Sequence, residues 1–349
     1  MSTLILPAAG RSSRFPGMRP KWLLTMPNGL LMFEQAISKL DLKSFDHIIL
    51  VCLREHIESY LTEEKLNLII NNFNHNNFSA LILEFPTSSQ AETVALALSK
   101  ADISGPFLVK DCDNEFSFNW SGANQVATLD LNNVDFVDAK TKSYVATDSF
   151  GSILNIIEKK VISSTFCCGG YGFESAREFI EHYDSINSQG EIYISHIIFS
   201  MIMAGVQFKI STASDYCDWG TLREYDDYKS SFLTVFCDID GVLLINGSKF
   251  SPNGWKTDPI IDNIRVLSLL QKRGRLYLVV TSSRPASDIS YISKILLDNG
   301  LVPDQYVMDL PHCKRVLVND YAATNPYPSA LCINIERDSK KLSLFLDSI

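Results

Sequence analysis

The stretch Leu4-Ile-Leu-Pro-Ala-Ala-Gly-Arg-Ser-Ser-Arg-Phe-Pro, followed by Pro20-Lys21, constrains the fold of this chain more than any other. Leu4 to Leu6 reads as a buried strand. It breaks at once into Ala8, Ala9 and Gly10, small residues past which a ligand can approach the backbone closely. Arg11, Ser12, Ser13 and Arg14 put donors into the turn, and Lys21 adds a point charge a few residues on. A strand ending in a glycine-containing, Arg- and Lys-bearing loop suits a polyphosphate. By itself such a turn is equally compatible with a solvated βα connection.

The chain beyond it alternates strand and helix patterns. Residues 32–40 read as a helix, 47–52 as a buried strand, 54–64 as a helix and 81–85 as a strand. Ser88-Ser89 can cap a helix with apolar positions at Ala91, Val94, Ala95, Leu96 and Leu98. Residues 107–110 read as another strand. The alternation predicts an α/β fold with a mixed, mostly parallel, Rossmann-like sheet, whose ligands gather at the carboxyl ends of the strands.

Length and composition narrow the classes. A chain of 349 residues, 46% hydrophobic and 20% charged, has room for two or three ordinary globular domains. The net charge of -9 argues against a nucleic-acid partner, which favours a basic face. It does not argue against phosphate ligands, because a bound divalent metal supplies local positive charge. The eight cysteines form no CxxC pair and mostly sit in apolar runs, which reads as buried free thiols in a reducing compartment. No signal peptide is visible, and the longest apolar stretch, 192–208, is interrupted by Ser195, His196, Ser200 and Gln207. It reads as a buried helix and a following strand, so no membrane span and a cytoplasmic location are expected. The six histidines show no metal-ligand spacing. The patch Asn71–Asn77 reads as a surface loop.

Three further elements of the first half carry chemistry. The strand 107–110 runs into Asp111-Cys112-Asp113-Asn114, where two carboxylates are placed as hard oxygen ligands for Mg²⁺ and a nucleotide phosphate, or form an Asx-type turn. A strand over 153–158 ends in Glu158-Lys159-Lys160. Cys168-Gly-Gly-Tyr-Gly-Phe173 reads as a glycine-rich turn before a helix over 174–183. Asp215-Tyr-Cys-Asp-Trp-Gly-Thr221 closes this half and offers Asp218 as a second metal ligand.

This ordered set resembles the sugar-phosphate nucleotidyltransferases, a GT-A-like family. Its glycine-rich signature with a following Arg and Pro-Lys is matched by Gly10, Arg14, Pro20 and Lys21, whereas Ala8-Ala9-Gly10-Arg11, which would line the nucleotide, departs from the usual loop in having less glycine. The acidic metal site is matched by Asp111 and Asp113, the Glu-Lys element by Glu158-Lys159, and the Asp-x-Gly-Thr by Asp218 to Thr221. Gln90 and Thr93 look like its nucleobase-side segment. The Pro-Ala-Ala-Gly form of the loop is closer to the cytidylyltransferases. The resemblance therefore implies an NTP, CTP or UTP with CTP slightly favoured, a phosphorylated small molecule, and Mg²⁺ on Asp111 or Asp113 together with Asp218; spacing does not decide between the first two, and Asp113 with Asp218 is the working hypothesis. A homo-oligomer is compatible with it.

The second half begins with an apolar strand, 232–237, followed by Asp238-Ile-Asp240-Gly241. Two carboxylates so placed can divide their roles, one attacking phosphorus and the other protonating a leaving group, with Mg²⁺ screening both. An amphipathic helix over 259–273 and a strand over 276–280 lead to Thr281-Ser-Ser-Arg284. A helix follows over 289–297. Lys314-Arg315 then precede a strand over 316–318 that ends in Asn319-Asp320. Asp238, Asp240, Thr281, Lys314 and Asp320 resemble the motifs of the haloacid-dehalogenase (HAD) phosphatases. The short spacings leave no room for a large cap domain. The expected organisation is a nucleotidyltransferase domain over 1–230 and a smaller HAD-like α/β domain over 231–349. Such a bifunctional enzyme would make an activated sugar, polyol or related headgroup for a surface polysaccharide. Two rivals keep only the first activity beside a silent HAD-like module, or treat the chain as a non-catalytic nucleotide-binding regulator.

Overall fold

The computed structural model describes residues 1–73, 75–134, 138–186, 190–320 and 330–346. The chain divides into two compact units, Met1–Tyr225 and Asp226–Ile349.

Unit 1 opens with β1 (Thr3–Pro7), α1 (Met32–Ile37), β2 (His47–Leu53), α2 (Arg54–Tyr60), α3 (Glu63–Asn71), β3 (Phe78–Leu83), α4 (Gln90–Lys100) and β4 (Phe107–Lys110). Residues 54–71 form two helices rather than one because Thr62 interrupts them, its hydroxyl accepting from Lys65 N and starting α3. α4 is capped by Ser89, whose side chain accepts from Glu92 N. Asn74 of the asparagine-rich patch lies outside the described residues. β1 to β4 pair in parallel in the order β3-β2-β1-β4. Both faces of this half are covered. Leu4, Leu6, Ile48, Leu50 and Cys52 point into one core, and Ile5, Ile49, Val51 and Leu53 into the other, as the two-residue period of a strand requires.

The second half of unit 1 adds β5 (Asn114–Ser117), β6 (Gln125–Asp130), β7 (Ser143–Thr147), β8 (Ile153–Glu158), β9 (Thr165–Phe173), α5 (Ala176–Ser185), α6 (Ile194–Met203), β10 (Lys209–Thr212) and β11 (Ser214–Asp218). The glycine-rich segment 168–173, read as a turn, is instead part of β9, the strand that joins the sheet's two halves by pairing antiparallel with β4 and β6. Its glycines answer crowding from neighbouring strands. A Cβ at Gly170 would lie 3.0 Å from both Ala127 and the Phe116 ring, and one at Gly172 would run into the Trp120 indole. β5 and β11 form a separate antiparallel pair.

α7 (Leu222–Ser230) carries the division between the units. Unit 2 contains β12 (Leu233–Asp238), α8 (Ile261–Lys272), β13 (Leu276–Thr281), α9 (Ile289–Asp298), β14 (Gln305–Val307) and α10 (Leu342–Leu346). Its strands form a parallel sheet in the order β12-β13-β14. Ile239, Leu243, Leu267, Leu278, Val280, Ile292 and Leu296 are its fully buried core. The expected strand over 316–318 does not form, and Val316, Leu317 and Val318 are exposed. An apolar run of three residues between Lys314-Arg315 and Asn319-Asp320 is short for a buried strand. No helix among the described residues is long and apolar enough to cross a membrane.

All eight cysteines are free thiols; five are buried, Cys217 is half-buried, and Cys313 and Cys332 are exposed. Burial pushes Cys52, Cys112 and Cys237 up to about 12, so their reactive thiolates are scarce at neutral pH. Ellman's reagent is expected to modify Cys313 and Cys332 at once and the five buried thiols only on denaturation. Rapid reaction of Cys167 or Cys168 in the native protein would contradict the placement of β9.

Candidate functional site

The opening loop sits at the carboxyl end of β1, and Ala8 N donates to Val51 O at 2.7 Å. Ala8 and Ala9 are buried, whereas Gly10, Arg11 and Arg14 face solvent. Ser12 adopts a left-handed conformation (φ 50°), and its hydroxyl accepts from Lys21 N at 3.0 Å. That bond folds the loop back so that Lys21 belongs to it. The Lys21 ammonium then pairs with Asp113.

β4 ends in a buried cation. Lys110 Nζ donates to Asp111 O (2.7 Å), Asn114 O (2.7 Å) and Asn114 Oδ1 (2.6 Å), and lies 4.4 Å from the centre of the Phe116 ring. Burial lowers its pKa to about 8. These three bonds wrap the chain from 111 to 114 around one ammonium and turn the two carboxylates apart. Asp111 N donates to Gly169 O, and Asp111 Oδ1 accepts from Gln90 Nε2 at 2.5 Å. A Cβ at Gly169 would run into its carboxylate, so glycine there makes its room. Burial and the neighbouring Asp113 both push the Asp111 carboxyl up.

Asp113 faces the other way. Asp113 O accepts from Trp219 N at 2.8 Å, and in the β5–β11 ladder Asp218 stands opposite Asn114. The pairing brings together two acids from opposite ends of unit 1. A Cβ placed on Gly220 would lie 3.3 Å from Asp218 Oδ1 and 3.4 Å from Asp113 Oδ2, so both carboxylates border the same small space. Asp218 is paired with Lys142, and Gly220 N donates to Asp218 Oδ1. Burial opposes ionisation of Asp113, but Lys21, by charge and hydrogen bond, and Lys142 outweigh it and hold the carboxyl low. Burial likewise opposes the charge on Lys21 and Lys142, and Asp113 and Asp218 respectively outweigh it and raise both.

The remaining residues singled out in the sequence lie as follows. Glu158 accepts from Ser195 Oγ (2.8 Å) and from Ser143 Oγ. Lys159 adopts φ 54°, and its Nζ donates to Tyr193 OH at 2.6 Å. Thr93 is buried, its hydroxyl engaged with Thr87 Oγ1 and Ser89 O in the first turn of α4. Lys110 and Lys142 escaped sequence reading. A lone lysine closing the apolar strand Phe107-Leu-Val-Lys is the one signal that marks Lys110. Nothing in Lys140-Thr-Lys142 distinguishes Lys142.

In unit 2 the β12–β13 register sets Asp238 opposite Thr281. Burial raises the Asp238 carboxyl, with Arg315 opposing. Arg315 Nη1 lies 3.3 Å from Asp238 Oδ1 and 3.3 Å from Thr281 Oγ1. Asp240 is clamped by the fully buried Arg284, whose Nη2 donates at 2.6 Å and Nε at 3.0 Å, while Nη1 donates to Trp255 O. Lys314 and Asp320 lie in the exposed stretch 311–320, and neither interacts with Asp238 or Asp240 among the described residues. The cation beside Asp238 is therefore Arg315, not its neighbour Lys314.

Among the described residues no group of three or more His, Cys, Asp or Glu side chains is placed to hold a metal ion. The Asp113–Asp218 pair nevertheless suits Mg²⁺, a hard cation that takes one or two carboxylates and completes its shell with water and substrate phosphate. In unit 2 the acids Asp238, Asp240 and Asp320 do not form, among the described residues, a group of three placed to hold a metal ion.

Residues 4–113 match the family model described as the MobA-like NTP transferase domain. No curated protein matches the chain. Among solved structures it is similar to a nucleoside-diphosphate-sugar pyrophosphorylase from Vibrio cholerae RC9, at 22% identity over 64% of this chain and 98% of that one, with a TM-score of 0.55. It is also similar to the inositol-1-phosphate CTP transferase from T. maritima (15% identity, 64% and 90% covered, TM-score 0.52). A UDP-glucose pyrophosphorylase complexed with UDP-glucose gives 15% identity, coverage of 66% and 98%, and a TM-score of 0.53. At these identities the likeness is one of fold: the chain shares the α/β architecture of sugar nucleotidyltransferases.

Replacing Lys110 by Met leaves three buried acceptors without their donor. A lost partner costs about 1–3 kcal/mol per unsatisfied group. Urea unfolding of Lys110→Met is expected to show a clearly lowered midpoint; an unchanged midpoint would mean that the 111–114 loop is held by something else.

Proposed function

We propose that unit 1 transfers a nucleotidyl group from an NTP to a phosphorylated sugar, polyol or related small molecule. The observation that carries this is the convergence of Lys21, Asp113, Asp218 and Lys142 around Gly220, next to the loop that holds Ala8 to Arg14. In the reaction a phosphate oxygen of the acceptor forms a bond to the α-phosphorus of the NTP. The bond from that phosphorus to the bridging oxygen breaks, and pyrophosphate leaves with the electron pair. No covalent enzyme intermediate is needed, so the protein's work is positioning and charge neutralisation. Lys21 and the loop donors Arg11 and Arg14 would neutralise the nucleotide phosphates, and the backbone at Ala8 to Gly10 would bound the nucleotide. Gln90 and Asp111 form a polar pair deeper in the same unit, suited to orient the nucleoside. Glu158, hydrogen-bonded to Ser195, presents an acceptor to a hydroxyl of the second substrate. Mg²⁺, held by Asp113 and Asp218, would supply charge stabilisation to the phosphates.

The loop sequence Pro-Ala-Ala-Gly favours CTP over UTP as the donor. Unit 2 is proposed to hydrolyse a phosphate ester, with Asp238 beside Thr281 and Arg315 as the phosphoryl site, and a surface polysaccharide precursor is the proposed product of the two steps. One observation favours a silent unit 2 instead: Arg284 engages the carboxylate of Asp240 that such chemistry uses as a proton donor.

The test is a screen of four NTPs with Mg²⁺ against a panel of sugar and polyol phosphates, reading pyrophosphate and free phosphate separately. Asp113→Ala and Asp218→Ala are each expected to lower pyrophosphate release by about 10²–10³-fold, the usual effect of removing one charge-stabilising group. Full activity in Asp113→Ala would remove it from the site. Asp238→Asn is expected to abolish free phosphate release and leave pyrophosphate release intact. Absence of free phosphate from the wild type across the panel would assign unit 2 to the silent reading.

A further inference from the structure

We infer that Lys142, a residue outside every motif of this chain, is the cation that binds the phosphate of the acceptor, while Lys21 serves the nucleotide. The identity of the two phosphates rests on the nucleotidyl-transfer reading of unit 1.

Four observations lead here. First, the Lys142 side chain is only 13% exposed and its partner Asp218 only 10%, so a full charge pair has been taken out of water. Such a pair contributes little net stability, because desolvation offsets most of the attraction. A stabilising role therefore explains its presence poorly. Second, each of the two carboxylates suited to the cation carries an ammonium, Lys21 on Asp113 and Lys142 on Asp218, with Glu224 bordering the same space. When a divalent cation takes the two carboxylates, both ammoniums lose their closest anionic partners. Phosphates are the anions that arrive with that cation, and lysine meets them as a mobile point charge.

Third, the two lysines enter from different parts of the unit. Lys21 is tied to the opening loop through Ser12. Lys142 lies at the start of the β7–β8 hairpin, where Lys159 N donates to Lys142 O and Ser143 stands opposite Glu158. It thus shares a hairpin end with the carboxylate placed for an acceptor hydroxyl. Fourth, the lysine that follows Glu158 at that hairpin end is already engaged. Lys159 Nζ lies 2.6 Å from Tyr193 OH and 4.3 Å from the ring centre. Lys142, not Lys159, reaches the two carboxylates.

The inference is tested on the full chain with two inert probes in the presence of Mg²⁺. Inorganic tripolyphosphate stands for the nucleotide, and inorganic phosphate stands for the group common to every candidate acceptor. Binding is followed by ³¹P NMR titration for wild type, Lys142→Met, Lys142→Arg and Lys21→Met. Lys142→Met is expected to weaken inorganic phosphate at least tenfold and to change tripolyphosphate less than threefold. Lys142→Arg is expected to recover most of the lost phosphate binding, and Lys21→Met to show the opposite preference. Recovery by arginine separates loss of a charge from loss of fold. Wild-type phosphate binding in Lys142→Met, equal loss of both probes, or a wild type that binds tripolyphosphate alone would overturn the inference. The expected binding pattern without pyrophosphate release for any NTP would instead sink the nucleotidyl-transfer reading and leave Lys142 as a phosphate-binding lysine.

Discussion

A single buried ammonium organises the site of unit 1. Lys110 has no access to water, yet it carries a full complement of three hydrogen bonds, all to the four residues that follow it. Without that anchor the chain leaving β4 would have no reason to turn so sharply, and Asp111 and Asp113 would not part company. With it, Asp111 is directed to Gln90, and Asp113 is presented to Lys21 and Asp218. The β5–β11 pairing begins immediately after this turn, and the hydrogen bond from Trp219 N to Asp113 O locks the closing segment of the unit onto it. The arrangement converts a local backbone feature into a long-range one.

Most of the sheet was legible from sequence because buried parallel strands are nearly continuous apolar runs, as in His47–Leu53 and Phe107–Lys110. Asp113 stood out because it follows an apolar strand, and Asp218 because it opens an Asp-x-Gly-Thr segment. Lys142 was not: its meaning comes only from the hairpin that folds it against an acid far along the chain. The glycines of 168–173 were misjudged for a related reason. Glycine in sequence announces freedom of the backbone, which Gly169 uses (φ 92°), but here the glycines also answer the bulk of Phe116, Trp120 and the Asp111 carboxylate, all supplied from elsewhere in the chain. Thr62 hid a helix break of the same kind, since a cap and an interior threonine look alike until the hydroxyl finds its donor.

Unit 2 shows the limits of motif reading in another way. The strand-end positions of Asp238 and Thr281 follow directly from the alternation of apolar runs, and the parallel register places them side by side. The polar residues between and beyond them are arranged by packing. Arg284 is drawn inside by Asp240 and the face of Trp255, so that a charged residue becomes fully buried. The charged run at 314–320, which reads as a strand end bearing a cation and an acid, instead lies exposed, with Arg315 touching the Asp238 side.

The position of β9 bears on how the chain is made. The parallel half of the sheet is complete once Lys110 has been synthesised, but the strand that covers the free edge of β4 ends at Phe173. At about 5–20 residues per second, several seconds of translation separate the two. Throughout that interval the nascent domain carries an unsealed apolar edge, a template for pairing with a neighbouring chain. Ribosomes spaced closely on one message would bring such edges together. The seam between β4 and β9 is thus the point at which crowding during synthesis would divert this protein, well before its substrates meet it.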